Sequence, residues 1–261
     1  MLAGEYFPCA EILDFADANR RVFTCINYST AFHRLGKANK SRGRRRDARD
    51  RRAARVDVLE DVRFAELETS LDRMLSAHAE GETNASDVGE FGVREVSSIL
   101  WGLANCGATL KSITTSSHAP RTFSLMLRIL ATAPREDFAP QNLSNTMWAI
   151  AKMHVDEDEY LPMDVVRVLE GHIAATIDDF IPQGVSNSLW ALGSFNKSGQ
   201  GFSLTDASAR ALFAHQSVGV SAAPPAGLAS RDPAAAPQRC RPGRAPAPGP
   251  RSTDPPLRRH H

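Results

Sequence analysis

Apolar positions recur along much of the chain with the period of an α-helix. In the segment PQNLSNTMWAIAKM, Leu143, Met147 and Ile150 lie at i, i+4 and i+7, which is the apolar stripe of a helix. Pro140 suits the first turn of that helix, and Pro182 begins a similar segment further along the chain. The pattern therefore predicts amphipathic helices that each bury one face.

A second apolar helix is predicted after each helix of this kind. The apolar runs that indicate it extend over residues 64–74, 123–130 and 163–173, and strand-like alternation is missing. The unit is then a helix A, a loop, a helix B and another loop. We predict an all-α fold, an α-solenoid of antiparallel helix pairs with about 40–47 residues per repeat.

Three of the helix A segments are near-copies of one phrase. They read EVSSILWGLANCG, NLSNTMWAIAKMH and GVSNSLWALGSFN, and they place Trp101, Trp148 and Trp190 at one position, 47 and 42 residues apart. A more divergent copy, NYSTAFHRLGKAN, has His33 at that position. Repetition at periods of about 20 to 50 residues predicts stacked units. Such a stack offers an extended surface rather than a pocket.

The repeated indoles are predicted to belong to the core. An indole beside Leu and Ile at helical spacing is more often a core residue than a platform for base stacking. We therefore expect Trp101, Trp148 and Trp190 to be largely buried. His33 is expected to be a degenerate core position.

The phrases PQNLSNTMWAIAKMH and PQGVSNSLWALGSFN combine Pro-Gln, Ser-Asn and Trp-Ala-Ile or Trp-Ala-Leu. In this they resemble helix A of the octotricopeptide-type repeats of algal organelle proteins, and of related proteins with FAST-kinase-like leucine-rich and RAP domains. The resemblance extends more loosely over residues 22–216, roughly three quarters of the chain. It implies an RNA-binding α-solenoid that acts in mitochondrial or chloroplast RNA processing, stability or translation.

Opposite the apolar stripe, each helix A has a second stripe that begins and ends with a polar residue. Its members, at i, i+4 and i+7, are Thr30, Arg34 and Lys37; Ser98, Gly102 and Asn105; Asn145, Ala149 and Lys152; and Asn187, Ala191 and Ser194. Because the middle residue is tiny in three copies, stacked helices would form an open groove with regularly spaced hydrogen-bonding groups. Such side-chain sets read single-stranded RNA in other helical-repeat proteins.

This polar stripe supplies the first group of candidate RNA-binding residues. They are Arg34, Lys37, Ser98, Asn105, Asn145, Lys152, Asn187 and Ser194. The alternative is structural, because Asn or Ser inside a helix also bonds a neighbouring repeat or faces water. Both interpretations stay open from the sequence.

The formal net charge of +1 hides a segregation of basic residues. The arginine run, Arg42–Arg55, holds eight arginines and two aspartates, whereas residues 93–216 hold nine basic and twelve acidic residues. Basic segments hold nucleic acid through its phosphates. The run therefore adds further candidate RNA-binding residues, namely Arg44, Arg45, Arg46, Arg51 and Arg52. A solvated linker inside the first repeat is the alternative, and a nuclear localisation signal is a further alternative.

Composition divides the chain into three parts. Residues 1–21 are expected to form a partial leading helix, and residues 22–216 the repeat array, with an arginine-rich insert at 40–56. Residues 217–261 hold 10 of the 16 prolines and no aromatic residue. A segment of this kind buries too little apolar surface to offset its ordering entropy, so a disordered tail is predicted.

Motifs for catalysis, metal binding or membrane insertion are not found in the sequence. The four cysteines have no paired spacing, and the acidic run at 156–159 is typical of a solvated loop. No nucleotide-binding, zinc-hydrolase or serine-hydrolase motif occurs, and no apolar run approaches about 20 residues. We predict a non-catalytic monomer without cofactor, metal or membrane span.

Two function classes stay open at this point. The resemblance favours a protein that binds single-stranded RNA in a mitochondrion or chloroplast. The mildly acidic repeats favour a scaffold for other proteins, of the HEAT or tetratricopeptide kind. The first residues have the features of neither a signal peptide nor a transit peptide, so a cytoplasmic location is the alternative.

Overall fold

Helices account for most of the residues that a computed structural model of the chain describes, which are 9–45, 58–81, 89–154, 161–197, 205–206 and 208–212. No strand occurs in these ranges, which confirms the predicted all-α class. The α-helices are α1 (Cys9–Asn19), α2 (Cys25–Arg45), α3 (Val62–Ala79), α4 (Val93–Cys106), α5 (Leu110–Thr114), α6 (Thr122–Thr132), α7 (Pro140–Met153), α8 (Met163–Thr176) and α9 (Pro182–Lys197). The described residues belong to one compact unit, residues 1–221, and the predicted tail lies outside them.

Local sequence sets the ends of several helices. Pro140 and Pro182 are the first residues of α7 and α9, as predicted. The Asp61 side chain caps α3 by accepting the backbone N–H of Arg63 at 2.9 Å. Gly107 ends α4 with a φ of 99°, a left-handed conformation that favours glycine. The short helix α5 follows directly and was not predicted from the sequence.

The helices pack in two sets. The four copies of helix A are α2, α4, α7 and α9, and they contact one another in chain order. The helices α1, α3, α6 and α8 also contact one another in chain order, and the pairs α1–α2, α4–α6 and α7–α8 join the two sets. The three predicted second helices are thus confirmed as α3, α6 and α8.

One position of the repeated phrase supplies the shared core. It is occupied by Leu35, Leu103, Ile150 and Leu192, and all four side chains are buried. At the far end, the carboxylate of the buried Glu170 on α8 accepts the backbone N–H of Thr205 at 2.9 Å, and the side chain of Arg167 at 2.6 Å. The first of these bonds links Thr205, which precedes the helical residues 208–212, to α8, and the second lies within α8.

The small residues in the middle of the polar stripe lie in helix contacts, which corrects the expectation of an open groove there. Gly102, Ala149 and Ala191 are all buried. A Cβ atom on Gly102 would lie 2.5 Å from the carbonyl carbon of Phe32 on α2, and closer still to its oxygen. Small side chains are therefore needed at this position because neighbouring helices meet there.

Candidate nucleic-acid interface

Four rings, one from each copy of helix A, form what we name the aromatic row: His33, Trp101, Trp148 and Trp190. The imidazole of His33 stacks on the indole of Trp101, with 4.7 Å between ring centroids and 21° between planes. The indoles of Trp148 and Trp190 lie 6.3 Å apart and are tilted by 39°. The row therefore runs across the four neighbouring helices α2, α4, α7 and α9.

The prediction that these rings belong to the core is wrong for Trp190 and His33, whereas Trp148 packs against the core with part of its ring exposed. Trp190 is 50% exposed, Trp101 and Trp148 are half-buried, and His33 is exposed. The exposure follows from helix geometry, because consecutive residues are rotated by about 100° around the helix axis. Trp148 follows the buried Met147 by one residue and therefore lies well away from the core-facing stripe.

The aromatic row lies on the same face as the predicted polar stripe. Trp148 comes three residues after Asn145 and four before Lys152, so the three side chains are neighbours on α7. A groove of about 750 Å³ runs beside them and is also lined by His33 and Trp101. Rings and polar groups thus share one surface.

Amide side chains and lysines complete the lining of this groove. The amides are Gln141, Asn145, Gln183 and Asn187. The charged groups are the ammonium ions of Lys37 and Lys40 and the carboxylate of Asp179. Amides both donate and accept hydrogen bonds, so the groove offers complementary partners to the edges of nucleobases.

Two lysine ammonium groups meet the central indoles. The Nζ atom of Lys40 lies 5.7 Å from the centroid of Trp101 and 5.9 Å from that of Trp148. The Nζ atom of Lys152 lies 4.7 Å from the centroid of Trp148 and donates a hydrogen bond of 3.2 Å to Oδ1 of Asn105. These are cation–π distances, so both cations are held at the row.

The environment of the row lowers the pKa of one of its members, His33, and of the neighbouring Lys152. Partial burial of the imidazole, followed by the positive charges of Lys37 and Arg34, lowers the pKa of His33. The imidazole is therefore neutral at physiological pH. Burial and the nearby charge of Lys40 lower the pKa of Lys152.

Some of the predicted RNA-binding residues lie at the groove, and others lie away from it. Lys37, Asn145 and Asn187 line it, and Lys152 lies on the ring of Trp148. Arg34 instead lines a separate apolar pocket between α1 and α2.

The remaining predicted residues of the stripe are partly occupied by structural bonds. Asn105 is buried, and its Nδ2 atom donates to the carbonyl oxygen of Trp101 at 2.8 Å. Ser194 donates its hydroxyl to the carbonyl oxygen of Trp190 at 2.8 Å, and Ser98 is half-buried on α4. The side chain of Asn105 is therefore bonded to Lys152 and to the backbone of α4, and it is not free to contact RNA directly.

Sequence reasoning missed Lys40, Gln141 and Gln183 as members of this surface. Each lies seven residues from a ring of the row, which is about two helical turns. Gln141 precedes Trp148, Gln183 precedes Trp190, and Lys40 follows His33 by that spacing. A search at seven-residue spacing around the repeated position would have found all three.

The arginine run lies only partly within the described residues. Arg44 and Arg45 are in the last turn of α2, whose earlier turns carry Lys37 and Lys40. Arg46, Arg51 and Arg52 lie outside the described residues, as does the acidic run at 156–159. The run therefore begins as a continuation of the helix that supplies lysines to the groove.

Within the described ranges, no group of three or more His, Cys, Asp and Glu side chains is placed to hold a metal ion. None of the helices in this part of the chain is long and apolar enough to cross a membrane. The chain matches no known protein family, no curated protein and no solved structure. The resemblance seen in the helix A phrases stays a prediction.

Proposed function

We propose that this chain binds single-stranded RNA on the aromatic row, as a non-catalytic protein of organellar RNA processing, stability or translation. The observation that carries the proposal is the row itself, which places four rings from four successive helix copies beside lysines and amides. Successive aromatic platforms beside cations are the arrangement on which unpaired bases stack while phosphates are neutralised. Duplex bases are already stacked on each other and cannot use such platforms.

An α-solenoid is the architecture that we propose for this surface. Chain-order contacts within each of the two helix sets support it. In such a stack each repeat adds one ring to the row, so the length of the bound strand follows from the number of repeats. The described copies would supply four positions.

Intrinsic fluorescence provides a direct test, because the three tryptophans of the chain all lie on the row. Titration with a single-stranded oligoribonucleotide is expected to quench this emission, whereas a duplex of the same sequence binds more weakly. Trp190→Ala should weaken binding by about 5- to 150-fold, which corresponds to about 1–3 kcal/mol for one stacked base.

The matched control is Phe15→Ala on α1, because Phe15 is 65% exposed and lies off the row. It should leave RNA affinity unchanged. Equal effects of Trp190→Ala and Phe15→Ala, or no effect of either, would contradict the assignment of the row as the RNA site.

A protein-binding scaffold is the second candidate, and one observation favours it. The pocket between α1 and α2 has a volume of about 480 Å³, and the exposed side chain of Phe15 and the half-buried side chain of Ile12 help to line it. Exposed apolar surface of this kind is typical of protein contacts. A wild-type protein that binds no single-stranded RNA even at low salt would favour this candidate over the first.

A further inference from the structure

The seam between α4 and α7 carries two ammonium groups that share one indole. Lys40 reaches it from α2 and lies between Trp101 and Trp148, while Lys152 lies over the ring of Trp148. From these distances the two Nζ atoms are no more than about 11 Å apart, and the centroids of the two rings no more than about 12 Å. Three helices thus bring two cations and two rings to one place.

Neither cation forms an ion pair with a carboxylate among the described residues, although Asp179 lines the same groove as Lys40. The ion pairs of Arg20, Arg63, Arg121 and Arg167 in this part of the chain involve neither Lys40 nor Lys152. The hydrogen-bond partner of Lys152 is the neutral amide oxygen of Asn105. The seam therefore has an excess of positive charge, which favours an anion.

The surroundings of Lys152 add to this excess. Its ammonium group is partly buried, and burial together with the charge of Lys40 lowers the pKa of Lys152. A bound anion would reverse both effects, because it replaces lost hydration and offsets the repulsion between the two lysines.

We propose that Lys40 and Lys152 form a phosphate site between Trp101 and Trp148, which takes one backbone phosphate of a bound strand while the flanking rings carry its bases. The assignment to a strand rests on the proposed function. The phosphate chemistry itself does not, because a free phosphate group presents the same oxygen atoms. This site fixes where the backbone of the strand crosses the row.

The strand arm of the test measures the affinity of an oligouridine strand over a salt series. Each phosphate contact contributes about 0.7 to the slope of log affinity against log salt for single strands. Because both lysines hold the same phosphate, Lys40→Gln and Lys152→Gln are each expected to reduce the slope by up to about 0.7, and the double variant by no more than about 0.7. The charge-preserving variants Lys40→Arg and Lys152→Arg should keep the wild-type slope. A purely structural role of the lysines does not predict that retention of charge alone keeps the slope.

Lys111→Gln on α5 is the matched control, because Lys111 is exposed and does not line the groove. It should change the slope little. Reductions for Lys40→Gln and Lys152→Gln that only equal this control would overturn the site, while persistent binding of the strand would leave the proposed function intact.

The free-anion arm needs no RNA. Inorganic phosphate is added to the full chain, and the ammonium group of Lys152 is followed by NMR as a function of pH. We expect phosphate to raise the pKa of Lys152 in the wild type and not in Lys40→Gln. An unchanged pKa in the wild type would overturn the phosphate site. A raised pKa in a protein that binds no strand would keep the site and overturn the proposed function.

Discussion

Replacing Gly102 by alanine should break the contact between α2 and α4. A Cβ atom at this position would lie 2.5 Å from the carbonyl carbon of Phe32, where ordinary carbon contacts are about 3.5 Å or longer. The obstructing atoms belong to the backbone of α2, so no side-chain rotation relieves the overlap. The two helices must therefore move apart by roughly 1 Å.

The size of the effect follows from two opposing contributions. Alanine stabilises a helix interior by about 0.5–1 kcal/mol relative to glycine. Overpacking in a close contact costs about 1–3 kcal/mol and sometimes more, and a gap of about 1 Å removes up to half of the dispersion attraction along the interface. We expect Gly102→Ala to lower the free energy of unfolding by about 2 kcal/mol, with a fall in Tm of roughly 4–8 °C.

Gly193→Ala on α9 is the control, because it makes the same chemical change at a helical glycine that has no atom within 4 Å of the new Cβ. It should raise stability by about 0.5–1 kcal/mol. The assay is urea unfolding followed by far-UV circular dichroism. If the two variants are equally stable, α2 and α4 do not meet at Gly102 and the described packing of the row is wrong.

Three further expectations concern stability and the arginine run. Trp190→Ala should lower the free energy of unfolding by about 1.5–2.5 kcal/mol in urea unfolding, roughly half the loss for a fully buried indole, because half of the indole is exposed; a loss of 3–5 kcal/mol would show that the indole belongs to the core. Burial raises the pKa of Glu68 to about 7, so its stabilising contribution is complete below about pH 4.5 and is lost as pH rises through 7. Glu68→Gln should therefore raise Tm at pH 8, by an equivalent of up to about 3 kcal/mol, and leave it unchanged at pH 4; equal shifts at both pH values would exclude this cause. Replacing five arginines of the arginine run by glutamine should flatten the salt dependence of RNA binding by up to about 3.5 in slope, and an unchanged slope would assign the run to a linker.

Helical periodicity was sufficient to predict the longer helices, although not α5, because it depends on local sequence. The starts of α7 and α9 follow from Pro140 and Pro182, and the buried stripe through Leu143 and Ile150 follows from their spacing. The repeated phrase also predicted that the copies of helix A would belong to stacked units. These features require no knowledge of how neighbouring helices meet.

The partial exposure of the tryptophan rings was missed because the large apolar side chain was given more weight than its angular position around the helix. Trp148 was assigned to the core for its size and its neighbours, although its spacing from Asn145 and Lys152 places it on the polar face. Other features depend on tertiary packing. The need for glycine at Gly102 arises from a backbone on another helix, and the meeting of Lys40 with Trp148 depends on the register of three helices.

The repeated phrase contains two kinds of repeated residue, and only one of them is explained by folding. Leu103 and Ile150 are buried, so the core accounts for them. The tryptophan position is different, because its indoles are incompletely buried, and leaving half of the Trp190 indole in water forgoes on the order of 2 kcal/mol of apolar burial. A large ring that recurs where burial is incomplete gains little for stability, and exposed rings gathered on one face are a feature of binding surfaces. The recurrence of Trp101, Trp148 and Trp190 beside lysines therefore supports the proposal that a ligand covers them, and unpaired bases would fit both the rings and the charge.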